Sequence, residues 1–384
     1  MIKFKGSFQF RARLVGALLS SKSVSIRQIR ESDSAPGLRE YEVSFLKLLD
    51  ELTDGTQVSI NPTGTSVTFS PGLVKGGTIE FDCSNTGRSI GYFIEGILPV
   101  CLFSKRVTTI HFTGVTSDDM DICIETLNYV TLPLLSRFGL EPEELPQIKL
   151  TRRGCPPNGF GSAVFICPIV RQLKPVELLD VGYVKKIRGV AHAVRVNPQV
   201  ANRMVDSCRG VLNNFIPDVY INTDHSNGTE IRAANGATSK TLTGRGFGIL
   251  LYAESTNGFF YGAKRIAQKE TPEEDVAVIP PRTGVEPLMD PEDLGLNAAK
   301  QLCEEISHGG CIDSSHQSLL MLMMVLCPED VSKARIGPLS AYSVEFLRLV
   351  KTLFEVKFKL VKDDSNVIIS CRGIGFKNLS RKVT

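Results

Sequence analysis

Tryptophan is absent from the 384 residues, histidine occurs only five times, and no two cysteines stand in a C-x-x-C spacing. The last absence excludes the common structural zinc modules and a thioredoxin-like redox pair. Neither sign of charge dominates, since 44 Lys and Arg against 41 Asp and Glu leave a formal charge of +3. That excludes a polycation holding nucleic acid by bulk charge, so any grip on phosphate has to come from local patches. Long apolar runs are missing too. The longest, Leu319 to Cys327, has nine residues, well short of the roughly 18 to 20 that cross a bilayer, so a soluble chain without membrane contact is expected. Neither G-x-x-x-x-G-K-[ST] nor H-E-x-x-H occurs, which removes the P-loop and zincin readings.

What is there reads as a globular protein of two or three domains, 42% hydrophobic and 22% charged. The ten cysteines lie mostly inside apolar stretches, as expected of buried thiols in a reducing compartment rather than a disulfide framework. The first thirty residues hold Lys3, Lys5, Arg11, Arg13, Lys22, Arg27 and Arg30 with no acid. A mitochondrial transit peptide competes for that segment, but it also fits an internal repeat. The sequons at Asn227 and Asn378 carry little weight without a secretory signal.

The repeat begins with helical spacing over Glu40 to Leu52, followed beyond Asp54-Gly55 by alternating strands Gln57 to Ile60 and Ser66 to Phe69. The same order recurs as helix Asp121 to Phe138 with strands Gln147 to Leu150 and Ala163 to Cys167. It recurs again as helix Tyr342 to Phe354 with strands Lys357 to Leu360 and Val367 to Cys371. An earlier apolar helix and strand precede each unit: Arg11 to Leu19 with Val24 to Ile29, Ile90 to Leu102 with Thr108 to Phe112, and Ser315 to Leu326 with Val331 to Ile336. Three copies of one α/β unit, none able to bury its sheet face alone, are expected to share a core. Between them lies a different pattern of strand 186–196, helix 198–213 and strands 216–221, 248–254 and 259–263. The expected organisation is a main domain over residues 1–183 and 285–384 with a smaller inserted α/β domain over 184–284. Ser226 to Arg245, rich in Gly, Asn, Thr and Ser, reads as a surface loop, and the proline-rich Thr271 to Met289 as the returning linker.

Arg152-Arg153-Gly154-Cys155-Pro156-Pro157-Asn158-Gly159-Phe160-Gly161, between two strands of the second unit, resembles the glycine-rich signature of the RNA 3′-terminal phosphate cyclase family. Pro36-Gly37-Leu38, Phe69 to Gly77 and Ile187-Arg188-Gly189 match it as well, over nearly the whole chain. Thr223-Asp224-His225, Gly310 to Ser315, Asp330-Val331-Ser332-Lys333 and Gly373 to Phe376 with Asn378-Leu379-Ser380 are similar to its eukaryotic cyclase-like branch. The resemblance implies three βαβαββ-like units with an inserted α/β domain. It also implies a histidine nucleophile, adenylated by ATP, in a His-Thr pair opening the helix of the third unit. Aligned on Gly337-Pro338 and Lys357-Phe358, that place holds Tyr342-Ser343. A phenol with a pKa of about 10 and no evident base is a poor substitute. The family's Gly-Gly-Gly-Gln segment is eroded to Gly6-Ser7-Phe8-Gln9-Phe10, and Arg11 keeps the family's basic position only if Phe8 stands in for the glutamine. No catalytic residue, cofactor or metal is expected.

The remaining signals have plainer readings beside them. Arg11, Arg152, Arg153, Gly159 and Gly161 could contact phosphate or RNA, or the glycines could simply form a tight turn. His316 is a relocated nucleophile or a structural histidine, His111 and His192 are structural, and Asp118, Asp119 and Asp121 cap a helix. Gly244, Gly246 and Gly248 mimic a dinucleotide loop with no helix to follow. Lys185, Lys186, Arg188, Asp330, Lys333 and Arg335 are expected to face solvent and meet a partner, and Arg372 to Lys382 forms a basic tail. The resemblance implies a nuclear, nucleolar ribosome-biogenesis factor. It would serve early pre-rRNA cleavage as an inactive platform bound to pre-rRNA and to a large nucleolar GTPase of the small-subunit processome. Alternatives are an RNA endonuclease using Asp330, Lys333 and Arg335, and residual ATP-dependent cyclisation. A closed or apolar cleft near Tyr342, Arg11 and Gly159 would favour the platform, and convergent polar groups an enzyme.

Overall fold

The structure, a computed structural model, describes residues 1–156, 159–227, 230–231, 241–242, 244–267 and 289–378. Pro157 and Asn158, most of the loop expected over Ser226 to Arg245, nearly all of the linker and the tail beyond Asn378 lie outside the described residues.

Three four-stranded sheets carry the repeat, and all three have the same wiring. In the first, Ile2–Lys5 runs parallel to Val24–Arg27, which pairs antiparallel with Val67–Ser70, and that strand with Gln57–Ile60. The second uses Gly77–Asp82, Thr108–Gly114, Gly161–Cys167 and Gln147–Arg152 in the corresponding places. The third uses Glu177–Leu178, Val331–Ile336, Asn366–Arg372 and Lys359–Asp363. Parallel neighbours need a crossover, supplied by helices Phe10–Ser20, Ile90–Cys101 and Gln317–Leu326. This is an α/β architecture of three βαβαββ units. The first strand of each unit has no counterpart in the helix and strand patterns read from sequence.

The long apolar run finds its place in Gln317–Leu326, where every residue but Ser318 is buried, the pattern of a helix enclosed on all sides. Among the described residues no helix is long and apolar enough to cross a membrane. The expected helix Asp121 to Phe138 begins only at Ile124 and widens into a π-helical turn over Leu127–Thr131. Pro133 has no N–H to give the Tyr129 carbonyl, which removes the α-helical bond at that point. The third unit's hairpin starts two residues later than its pattern suggests, at Lys359. Glu355 ends the preceding helix in the left-handed region, at φ 63°, and leaves residues 356–358 as an extended link.

The insert interrupts the third unit between its first strand and first helix. Its sheet runs Val219–Ser226, Val184–Val194, Gly246–Ser255, Phe260–Ile266, and helix Gln199–Leu212 covers one face. Helix Pro291–His308, placed by sequence in the last part of the main domain (285–384), packs into the insert's core instead. Leu294, Ala298, Ala299 and Leu302 are buried there with Met204 and Cys208. Small residues make this contact close: a Cβ at Gly295 would stand 2.5 Å from the Met204 carbonyl oxygen, and Cys208 Sγ donates to the Gly295 carbonyl at 3.1 Å.

Candidate functional site

Tyr342 opens helix Ala341–Phe354, capped by Ser340, whose Oγ accepts from the Ser343 N–H at 3.1 Å. The eroded N-terminal segment folds back onto it. Gln9 Nε2 donates to the Tyr342 carbonyl at 2.9 Å, and the Phe8 ring meets the Tyr342 ring edge-on with centroids 5.9 Å apart. Burial pushes the Tyr342 phenol up from its ordinary value, outweighing the pull of nearby Arg11. Among the described residues no base accepts a hydrogen bond from its hydroxyl.

Arg11 does come to this place, but it is committed. Its guanidinium bonds Glu95 and the Tyr92 carbonyl and lies 4.4 Å from the centroid of the Tyr92 ring. Its side chain is 19% exposed, so the residue offered from sequence as a possible phosphate contact is held in an ion pair. Glu95 went unnoticed in the sequence although the signal was present: it is the one acid in the apolar string Ile-Gly-Tyr-Phe-Ile-Glu-Gly-Ile-Leu. Beside the pair opens a groove walled mainly by Val15, Leu319, Leu322, Phe346 and Val350. The surroundings of Tyr342 are therefore largely apolar.

A second polar cluster adjoins the first. Arg88 lies over the Tyr41 and Tyr92 rings, 5.0 and 4.7 Å from their centroids, and pairs with Asp121 at 2.9 Å. Burial, reinforced by Asp118, pushes Asp121 up to about 7. The three aspartates are not the caps expected of them. Cys123 Sγ caps the helix by accepting from the Thr126 N–H, while Asp118 accepts from the Asp121 backbone and Asp119 from the Ile266 backbone.

Gly159 and Gly161 sit apart, where the insert meets the second sheet. A Cβ at Gly159 would stand 2.8 Å from the Gly114 carbonyl carbon and the Val115 nitrogen, and one at Gly161 2.6 Å from the Gly154 nitrogen. Backbone packed on backbone accounts for these two glycines. Arg153, offered as a phosphate ligand, is 7% exposed and bridges Glu125 at 2.5 Å and Asp224 of the insert at 2.6 Å. Arg152 is half-buried with its Nε unpartnered. His192 lies within the field of Arg153, and burial first, then that charge, lowers it to about 4.

His316 is buried with both ring nitrogens engaged, Nδ1 on Asp313 at 2.6 Å and Nε2 on the Thr131 hydroxyl at 2.8 Å, which leaves no nitrogen for a relocated nucleophile. Asp330, Lys333 and Arg335 do not converge either. Asp330 accepts from the neighbouring Val331 N–H, while Lys333 pairs across the sheet with Glu177 and Arg335 with Asp363. Lys185 and Lys186 share Glu254, and Arg188 grips Asp218. No cluster of three or more metal-ligating side chains occurs among the described residues, and His111 lies on an open sheet face 4.0 Å from Glu80.

A family model for the RNA 3′-terminal phosphate cyclase matches residues 2–360. The chain is 45% identical to the RNA 3′-terminal phosphate cyclase-like protein of Homo sapiens, with 99% of this chain and 97% of that protein aligned. It is 42% identical to a probable cyclase-like protein of Dictyostelium discoideum, over 99% of both chains. It is 38% identical to the rRNA processing protein rcl1 of Schizosaccharomyces pombe, over 99% and 98%. With its three-unit wiring, the chain belongs to the RNA 3′-terminal phosphate cyclase family.

Proposed function

We propose that the protein is a non-cyclising member of its family, a binding platform for the early processing of pre-ribosomal RNA of the small subunit. The observation carrying this reading is the side chain at the nucleophile position. Tyr342 offers a phenol kept protonated by burial, its neighbour Arg11 is tied to Glu95, and the adjoining groove is apolar. Transfer of AMP from ATP needs a nucleophile that gives up its proton near neutral pH, and this phenol does not. The fission-yeast relative named for rRNA processing supports the cellular role. The protein would act in the nucleolus on pre-rRNA, bound to a large nucleolar GTPase of the small-subunit processome. The open face of the third sheet, with Asp330, Lys333 and Arg335, is the surface offered to that partner.

Incubation with ATP labelled at the α-phosphate should leave no covalent adenylate on the purified protein. An acid-labile adduct on His316 or an acid-stable one on Tyr342 would overturn the reading, as would intact pre-rRNA cleavage in cells depleted of the protein. For the partner surface, Lys333→Glu with Arg335→Glu should reduce recovery of the GTPase in a pull-down, and Lys333→Glu alone, whose pair with Glu177 is exposed, should change stability by no more than about 1 kcal/mol. Undiminished recovery would place the contact elsewhere.

A further inference from the structure

On the insert's sheet Arg188 pairs with Tyr220 across the parallel ladder and with Tyr252 across the antiparallel one. Directly paired residues project to the same face, so the three side chains form one transverse row. The intervening Ile187, Gly189 and Ala191 are buried, which puts the row on the face away from helices Gln199–Leu212 and Pro291–His308. The row continues beyond the sheet. Tyr129, from the π-helical turn, lies flat against Tyr252 with centroids 4.9 Å apart and planes 9° from parallel. Four planar groups thus stand side by side, with Tyr220 57% and Tyr129 40% exposed at the two ends. The guanidinium in the middle is held by a two-pronged grip on Asp218, at 2.8 and 2.9 Å. Lys185 and Lys186 share the carboxylate of Glu254 at 2.7 and 2.8 Å, so three cations stand against two carboxylates at this edge.

Folding gains little from tyrosines whose rings remain in water, whereas a ligand with flat faces and negative charge gains from both parts of the row. We propose that this row is a stacking platform for single-stranded RNA. Bases would extend the stack at Tyr220 and at the open side of Tyr129, and phosphates would run past Lys185 and Lys186. A four-stranded sheet with helices behind it and aromatic rings on its open face is a general solution to binding unpaired bases. The proposal rests on the reading that this chain works on ribosomal RNA, and it adds where the RNA is held.

The test is fluorescence anisotropy of a labelled twelve-nucleotide single-stranded RNA of mixed sequence, titrated with the purified full chain at about 0.1 M salt. The wild type should bind it more tightly than the corresponding duplex. Tyr220→Ala and Tyr129→Ala should each weaken binding roughly tenfold, in the range of one lost base stack. Tyr220→Phe and Tyr129→Phe keep the ring and should stay near wild type, which separates stacking from any effect of the hydroxyl on the fold. The proposal fails if the wild type does not bind, if the alanine variants bind as wild type, or if duplex binds equally well. Failure at the first step would leave the face to a protein partner. None of these results bears on adenylation or on pre-rRNA cleavage after depletion, so the platform can fall while the proposed function stands.

Discussion

Replacing Arg153 with methionine should lower the unfolding free energy by about 3–5 kcal/mol, the usual cost of leaving a buried charge without its partner. Arg153 and Glu125 are 7% and 8% exposed, and the same guanidinium reaches across to Asp224 of the insert. Methionine keeps much of the length and none of the charge. Burial pushes the Glu125 carboxyl up, and Arg153, joined by His192 and a backbone hydrogen bond, more than cancels that, holding it below its ordinary value. In the wild type this group therefore contributes stability above its unfolded pKa and loses it as pH falls through the lower folded value. Without Arg153 the burial effect prevails and the sign reverses, so the variant should lose further stability as pH rises past the ordinary carboxylate range. Denaturant titrations at pH 5 and pH 8 would measure this. Far-ultraviolet circular dichroism is the suitable probe, since the chain has no tryptophan. Adding Glu125→Gln to Arg153→Met should recover part of the loss. A single variant as stable as wild type would mean that water reaches the pair.

Asp313→Asn should produce a loss of similar size with a different pH signature. Asp313 is 2% exposed and accepts from His316 Nδ1, from the Ser315 hydroxyl and from the Gly262 N–H of the insert. Burial opposes both charges, yet each partner sustains the other: Asp313 lies below its ordinary value and His316 above. The raised histidine contributes fully below its unfolded pKa and loses its contribution as pH climbs through the folded one. The lowered aspartate contributes fully above its unfolded pKa and loses it as pH falls through the folded one. The pair is thus at full strength between the ordinary values of an aspartate and a histidine, 3.8 and 6.5. The difference between wild type and Asp313→Asn should be largest in that window and shrink on either side. A difference independent of pH would show that the hydrogen bonds of Asp313 matter and its charge does not.

Periodicity made the second helix of the first and third units, and their hairpins, legible in the sequence, because their apolar stripes are long and repeat in the same order. The first strands were not legible. Glu177–Leu178 is two residues long, and Ile2–Lys5 alternates with lysines in a basic segment for which a transit peptide competes. Helix Pro291–His308 has a small-residue face that does not say which core it enters. The glycine-rich motif was legible as a motif, whereas the burial of Arg153 was not, since a charge in a sequence carries no sign of what surrounds it. Tyr342 as the residue at the nucleophile position came from resemblance and Glu95 from packing. The row of Tyr220, Arg188, Tyr252 and Tyr129 depends on strand register and on a π-helical turn, neither of which one sequence reveals.

The position of the insert governs the order in which the chain can be completed. Glu177–Leu178 is made early, yet its sheet neighbour, Val331–Ile336, emerges roughly 150 residues later. During synthesis the first two units and most of the insert can close while that strand waits without a partner. A two-residue strand offers little edge for wrong pairing in the interval. Closing so long a loop costs only about 0.6 kcal/mol more than closing one half as long. The third unit is then the last to assemble, and it brings Tyr342 against Gln9 and Phe8 at the beginning of the chain. The contact at Tyr342, like the Lys22–Glu355 ion pair, joins the two ends of the repeat, so it forms only when synthesis of the body is nearly finished.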